Sequence, residues 1–142
     1  MTDQRNFHSG SCGEGTGNPP TSTVIVGSGR LRVKLELRIQ GRDFLLLVTG
    51  GEAHVGAVAV FDGSVEGGRA VVTEMPGHRE GPLAGECAET LGRATGRTVA
   101  AVVGIHQDHA TGEEISSIVA NVRQAAAELA EAVAANQGTF DD

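Results

Sequence analysis

The chain has 142 residues, the length of one domain, and a formal net charge of −7, which lacks the basic footprint that nucleic-acid binding requires. No run approaches the roughly 20 apolar residues of a membrane span, and the polar N-terminus lacks the apolar stretch of a signal peptide. Two cysteines, Cys12 and Cys87, suggest neither a disulfide framework nor a zinc ribbon, so the expectation is a cytoplasmic protein with reduced thiols.

Trp and Tyr are absent and only four Phe are present, so the core must be built from Val, Leu, Ile and Ala. Residues 1–22 are rich in Gly, Ser, Thr, Asn and Pro. Such a segment buries too little apolar surface to offset its ordering entropy, and is expected to be a disordered tail. A single domain is expected over residues 23–136, opening with a short strand at Thr23–Val26. An acidic tail follows over residues 137–142.

Arg30 to Gln40 alternates, with Leu31, Val33, Leu35, Leu37 and Ile39 on one side and polar residues on the other. That period of two predicts a strand with one buried face. Gly41-Arg42 leads into Asp43–Thr49, apolar on both faces and therefore expected near the middle of a sheet. Val55–Phe61 and Arg69–Met75 read as third and fourth strands, and the short connections suggest an antiparallel meander.

Pro82 suits the first turn of a helix and Gly96 the position just past its end. Between them Leu83, Ala84, Cys87, Ala88 and Leu91 recur at helical spacing. Thr98–Ile105 is a further strand without polar side chains after Thr98. Thr111-Gly112-Glu113-Glu114 is a capping box. It opens a long helix whose apolar face runs from Ile115 through Ile118 and Val122 to Val133. The fold class expected is α+β: a mostly antiparallel sheet of five or six strands with two helices, the C-terminal one long.

Polar residues gather in three loops: Thr49–His54, Pro76–Glu80 and Ile105–His109. Four of the five histidines lie in them, and that grouping points to a site. Gly50-Gly51 lets backbone amides approach a ligand, or serves a turn. Neither a P-loop nor a dinucleotide-binding glycine motif is present. Glu52 and His54, with His78, His106 or Asp108, could ligate a metal or line a polar pocket. Asp108 also suits a helix N-terminus without any function. His78-Arg79 could bind a phosphate. The basic stripe of Arg30, Arg32, Lys34 and Arg38 is a solvated strand face or a docking surface.

The runs VTGGEAHVGAVAV (Val48–Val60), MPGHREGPLA (Met75–Ala84) and VVGIHQDHATGEEI (Val102–Ile115) resemble the LpdD-like prenylated flavin chaperone family. Its members are also called the D subunit of gallate or hydroxyarylic acid decarboxylases. The resemblance covers roughly Leu31 to Ala134 and leaves out the N-terminal tail. It implies a fold like that of the proteasome-assembly chaperones and a homodimer. It also implies a non-enzymatic role: binding the reduced prenylated FMN made by a UbiX-type prenyltransferase, and assisting its delivery to a UbiD-type decarboxylase. The prenyltransferase is a further candidate partner.

The positions characteristic of that family fall on Gly50, Gly51, Glu52, His54, Gly77, His78, His106 and Asp108. On this reading Gly50-Gly51 and Arg79 hold the phosphate. His54, His78 and His106 line the isoalloxazine or its prenyl-derived ring, and Glu52 and Asp108 orient the histidines. Two other readings stand beside it. One is a decarboxylase assembly factor that docks through the Arg30–Arg42 stretch and binds no small molecule. The other is a metal-dependent enzyme using Glu52, His54, His78 and His106. The expectation common to the first and last is that the three loops meet around one cavity.

Overall fold

The computed structural model describes residues 22–136. The tails expected at 1–22 and 137–142, with His8 and Cys12, lie outside these residues except for Ser22. The elements are β1 (Ser22–Val26), a 3-10 turn (Gly29–Leu31), β2 (Val33–Gln40), β3 (Asp43–Gly51), β4 (Ala57–Asp62), β5 (Val71–Glu74), α1 (Gly81–Thr95), β6 (Thr98–His106) and α2 (Gly112–Ala135). This is the α+β class read from the sequence, with a six-stranded sheet.

The sheet order is β1-β2-β3-β6-β4-β5. Every neighbouring pair is antiparallel except β3 and β6, which run parallel. The expected meander is therefore wrong at one step: β3 and β4 do not pair, because β6 lies between them. The reason is in the composition of β6. A strand apolar on both faces would be a liability at an edge. The central slot encloses it and leaves the edge to β5, whose four residues are all exposed.

Both helices pack on the same sheet face. Val33, Leu35 and Leu37 of β2, Phe44, Leu46 and Val48 of β3, and Val99, Ala101 and Val103 of β6 point into that layer and are buried. Leu91 and Cys87 of α1 meet them, as do Val122, Leu129 and Val133 of α2. At roughly 1.5–3 kcal/mol for each large apolar side chain buried, this layer dominates the stabilisation.

Among the described residues the opposite face carries no helix. There the register aligns Leu45 and Leu47 of β3 with Ala100 and Val102 of β6, and these with Val60 and Val58 of β4. Lys34, Glu36 and Arg38 of β2 flank this apolar strip. Lys34 and Arg38 of the basic stripe thus form one column of an open sheet face with Glu36 between them, whereas Arg30 lies in the 3-10 turn.

Helix ends follow the sequence signals. Gly96 closes α1 in the left-handed conformation at φ 73°, and its amide donates to Gly92 O. At the start of α2 the Glu114 amide donates to Thr111 Oγ1, and the Thr111 amide donates to Glu114 Oε1, both at 3.0 Å. Among the described residues no helix is long and apolar enough to cross a membrane.

Cys87 lies inside the helix–sheet layer, and burial pushes its thiol up to about 12. Thiolate, the nucleophilic form, is accordingly suppressed near neutral pH. In a Cys12→Ser variant of the full chain, Cys87 should therefore resist iodoacetamide in native buffer and react fully in denaturant. Stoichiometric labelling of the native protein, read by mass spectrometry, would contradict the burial.

Candidate functional site

The parallel pairing of β3 and β6 sets the C-terminal ends of both strands side by side. Gly51 sits opposite His106 in the register, and the Glu52 amide donates to His106 O at 2.9 Å. Gly51 has φ +61°, and a Cβ there would strike the His106 carbonyl. Glycine at this position lets the first loop cross the end of β6.

The chain then turns back over β6. A Cβ on Gly104 would collide with the backbone of His54, so that glycine allows the His54 segment to lie directly on the strand. The Gly56 amide donates to Val103 O at 2.9 Å, and Gly56 O accepts from the Met75 amide at 2.8 Å. The second loop is tied to the first through that bond, and the His78 amide closes its turn by donating to Met75 O at 3.0 Å. All three loops lie at one end of the sheet.

Three of the four loop histidines come together. The rings of His54 and His78 are 4.8 Å apart, and those of His54 and His106 are 6.5 Å apart. His109 adopts φ 55° just before the Thr111 cap. Glu80 lies beneath the cluster. Its Oε2 is 3.0 Å from His54 Nε2, and its Oε1 is 3.6 Å from His78 Nδ1. The Ile105 amide donates to Glu80 Oε2 at 3.2 Å and pins the carboxylate to the end of β6. His106 Nε2 lies 2.9 Å from Asp108 Oδ1.

These groups line a cleft of about 350 Å³ on the helix side of the sheet, a volume within the range of small-molecule sites. His54, His78, Arg79 and His106 form its polar side, and Leu83, Ile105, Ile115, Ile118 and Val119 its apolar wall. Gly77, at φ 82°, is on the rim. Among the described residues no aromatic side chain other than histidine faces the cleft.

Gly50 and Gly51 line a different cleft of about 300 Å³, with Arg32, Lys34 and Thr49. Lys34 and Thr49 belong to the open sheet face, so this cleft lies toward the other side. Gln107 is common to both. All three loops border the histidine cleft, but the Gly50-Gly51 pair expected in it does not line it. The first loop contributes His54 to the histidine cleft, while its glycine pair turns the other way. Gly50-Gly51 and Arg79 accordingly do not line the same cleft.

Asp108 does stand against His106. Glu52 reaches His54 only through its backbone: its carbonyl accepts from His54 Nδ1 at 3.0 Å. The Glu52 carboxylate instead groups with His106 and Asp108 at the exposed edge. Beside it, Arg30 donates to Asp108 O at 2.7 Å and to Glu114. The Arg30 guanidinium holds the Glu114 carboxyl below its ordinary value, helped by the Thr111 amide. That bridge fastens the third loop to the start of α2.

Sequence reasoning passed over Glu80 and Gln107, although both stand in the loops it singled out. It also assigned Ile115 to the core face of α2, whereas Ile115 is 53% exposed and walls the cleft. A carboxylate just ahead of a Gly-Pro helix start, two residues from a histidine, was the available signal for Glu80.

The profile of the prenylated flavin chaperone LpdD-like domain matches residues 27–134. The chain belongs to that family. No curated protein matches it. The matched span takes in all three loops, both clefts, β2 to β6, α1 and all but the last residue of α2 in this LpdD-like chaperone domain, and leaves out β1.

Gly56 bears directly on the site, because a Cβ there would press into the Glu80 carboxylate. Gly56→Ala should displace Glu80 and change the surroundings of His54 and His78 while leaving those of His109 unchanged. The histidine ring signals in a two-dimensional NMR spectrum read this out. Unchanged His54 and His78 signals would contradict the geometry.

Proposed function

We propose that this LpdD-like domain holds reduced prenylated FMN in the histidine cleft and assists its delivery to a UbiD-type decarboxylase, without catalysing a reaction of its own. The observation that carries the reading is the pairing, in one cleft, of a polar histidine side with an aliphatic wall in a chain of this family. The wall formed by Leu83, Ile115, Ile118 and Val119 suits the prenyl-derived ring. His54, His78 and His106 offer hydrogen bonds to the isoalloxazine edge, with Asp108 and the Glu52 carbonyl orienting two of them. Arg79, which also borders the cleft, would take the phosphate. Gly50, Gly51 and Gly77 serve by letting the backbone approach and turn.

A carrier must also release its cargo. Stacked aromatic rings would add roughly 0.5–1.5 kcal/mol per pair beyond area burial. An aliphatic wall omits that term, which favours transfer. Closure around the wall would also exclude water and dioxygen and keep the flavin reduced. Assembly as a homodimer through the open sheet face belongs to the same proposal. That face has an apolar strip that runs out to the edge strand, with Val60 43% and Val71 73% exposed. Its row of Lys34, Glu36 and Arg38 gives it the polar margin typical of subunit interfaces. Alternating charge in that row can pair with its own two-fold copy. The cytoplasm, where a reduced flavin and its client enzyme would be found, is the proposed location.

Anaerobic size-exclusion chromatography of the protein mixed with reduced prenylated FMN tests this reading, with light scattering on the same column giving the mass. Flavin should co-elute with a dimer, and Arg79→Ala together with Ile118→Asp should release it. Flavin eluting free from the unaltered chain would refute the carrier role, and a monomer mass would refute the dimer.

A further inference from the structure

His54 presents a conflict that its neighbours do not resolve. Its Nδ1 is 3.0 Å from the Glu52 carbonyl oxygen. A carbonyl can only accept, so Nδ1 carries the ring proton. In the neutral ring Nε2 then has a lone pair, and a carboxylate oxygen of Glu80 lies 3.0 Å from that atom. The atom is buried and makes no hydrogen bond, and Glu80 Oε1 is buried and unpartnered as well. Two acceptors held together away from water destabilise the fold unless something positive lies between them.

Distances among these groups fit a cation. One donor atom from each of His54, His78 and Glu80 lies within 4.8 Å of the others. The two histidine–carboxylate separations are 3.0 and 3.6 Å. Ligands about 2.0 Å from a tetrahedral zinc stand roughly 3.3 Å apart. The supporting contacts are also those of a metal site. A ligating histidine characteristically gives its other N–H to a backbone carbonyl, and a ligating carboxylate is itself hydrogen-bonded. Glu52 O and the Ile105 amide fill these two places.

We propose that His54, His78 and Glu80 form a binding site for a divalent cation of the zinc class. Two imidazole nitrogens and a carboxylate suit zinc or its late first-row neighbours better than calcium or magnesium, which take oxygen donors. All three ligating residues line the histidine cleft. A further coordination position would be open to an anionic oxygen of whatever the cleft holds. The inference rests on geometry alone and does not depend on the flavin reading.

The test uses untagged full-length protein carrying Cys12→Ser, stripped with chelator and titrated with Zn²⁺ against a chromophoric competitor, with no flavin present. One equivalent per chain should bind. His54→Ala and Glu80→Gln should each weaken binding by more than the roughly 10–100-fold that loss of an outer-shell partner costs. His109→Ala, which removes a loop histidine that does not line the cleft, should leave it intact. Circular dichroism checks folding, and where His54→Ala fails to fold, His78→Ala takes its place. Absence of zinc binding, or binding indifferent to the His54 and Glu80 substitutions, overturns the proposal in favour of a plain imidazolium–carboxylate pair. Zinc binding without flavin retention would refute the carrier and leave this site standing, and the reverse result would do the opposite.

Discussion

The parallel pairing of β3 with β6 is the constraint on which the site depends. Were β3 to pair with β4 as a hairpin, the first and third loops would be separated by the width of the intervening strands. With β6 inserted, Gly51 meets His106 across one ladder step and His54 lies on Gly104. A parallel pair needs a long crossover connection. Here that connection contains β4, β5 and α1, and it carries Gly77, His78, Arg79 and Glu80 to the same end of the sheet. The topology itself assembles the cluster.

Glycines and one carboxylate complete the arrangement. Gly51, Gly56 and Gly104 each stand where a Cβ would strike the next loop. The loops therefore touch through backbone and leave side-chain volume for the cleft. Glu80 occupies the space Gly56 leaves open and reaches both histidines. Buried polar groups in so close a packing have few ways to be partly satisfied. The orphaned His54 Nε2 and Glu80 Oε1 are the groups that the proposed cation would satisfy.

Much of the fold was legible in the residues. Alternation in Arg30–Gln40, the Pro82 and Gly96 boundaries and the Thr111–Glu114 capping box are local signals; both helices stand where they placed them, while the strand begins only at Val33 because Arg30 and Leu31 belong to a 3-10 turn. Strand order was not legible, because β6 reads only as an apolar run and partners are chosen by long-range burial. The site was legible as three histidine-bearing loops. Its division into two clefts was not, because the direction of Gly50-Gly51 depends on which side of β6 the chain crosses. Ile115 was misplaced for a similar reason. Helical periodicity assigns it to the packed face of α2 but does not reveal that the first turn extends past the layer it packs against.

The account stands or falls on where the cofactor sits. A crystal structure of the protein grown anaerobically with reduced prenylated FMN measures this most directly. The account predicts density on the helix side of the sheet, the modified ring against Ile115 and Ile118 and the histidines along its edge. Flavin bound instead in the Gly50–Arg32–Lys34 cleft, with the histidine cleft filled only by solvent, would contradict it.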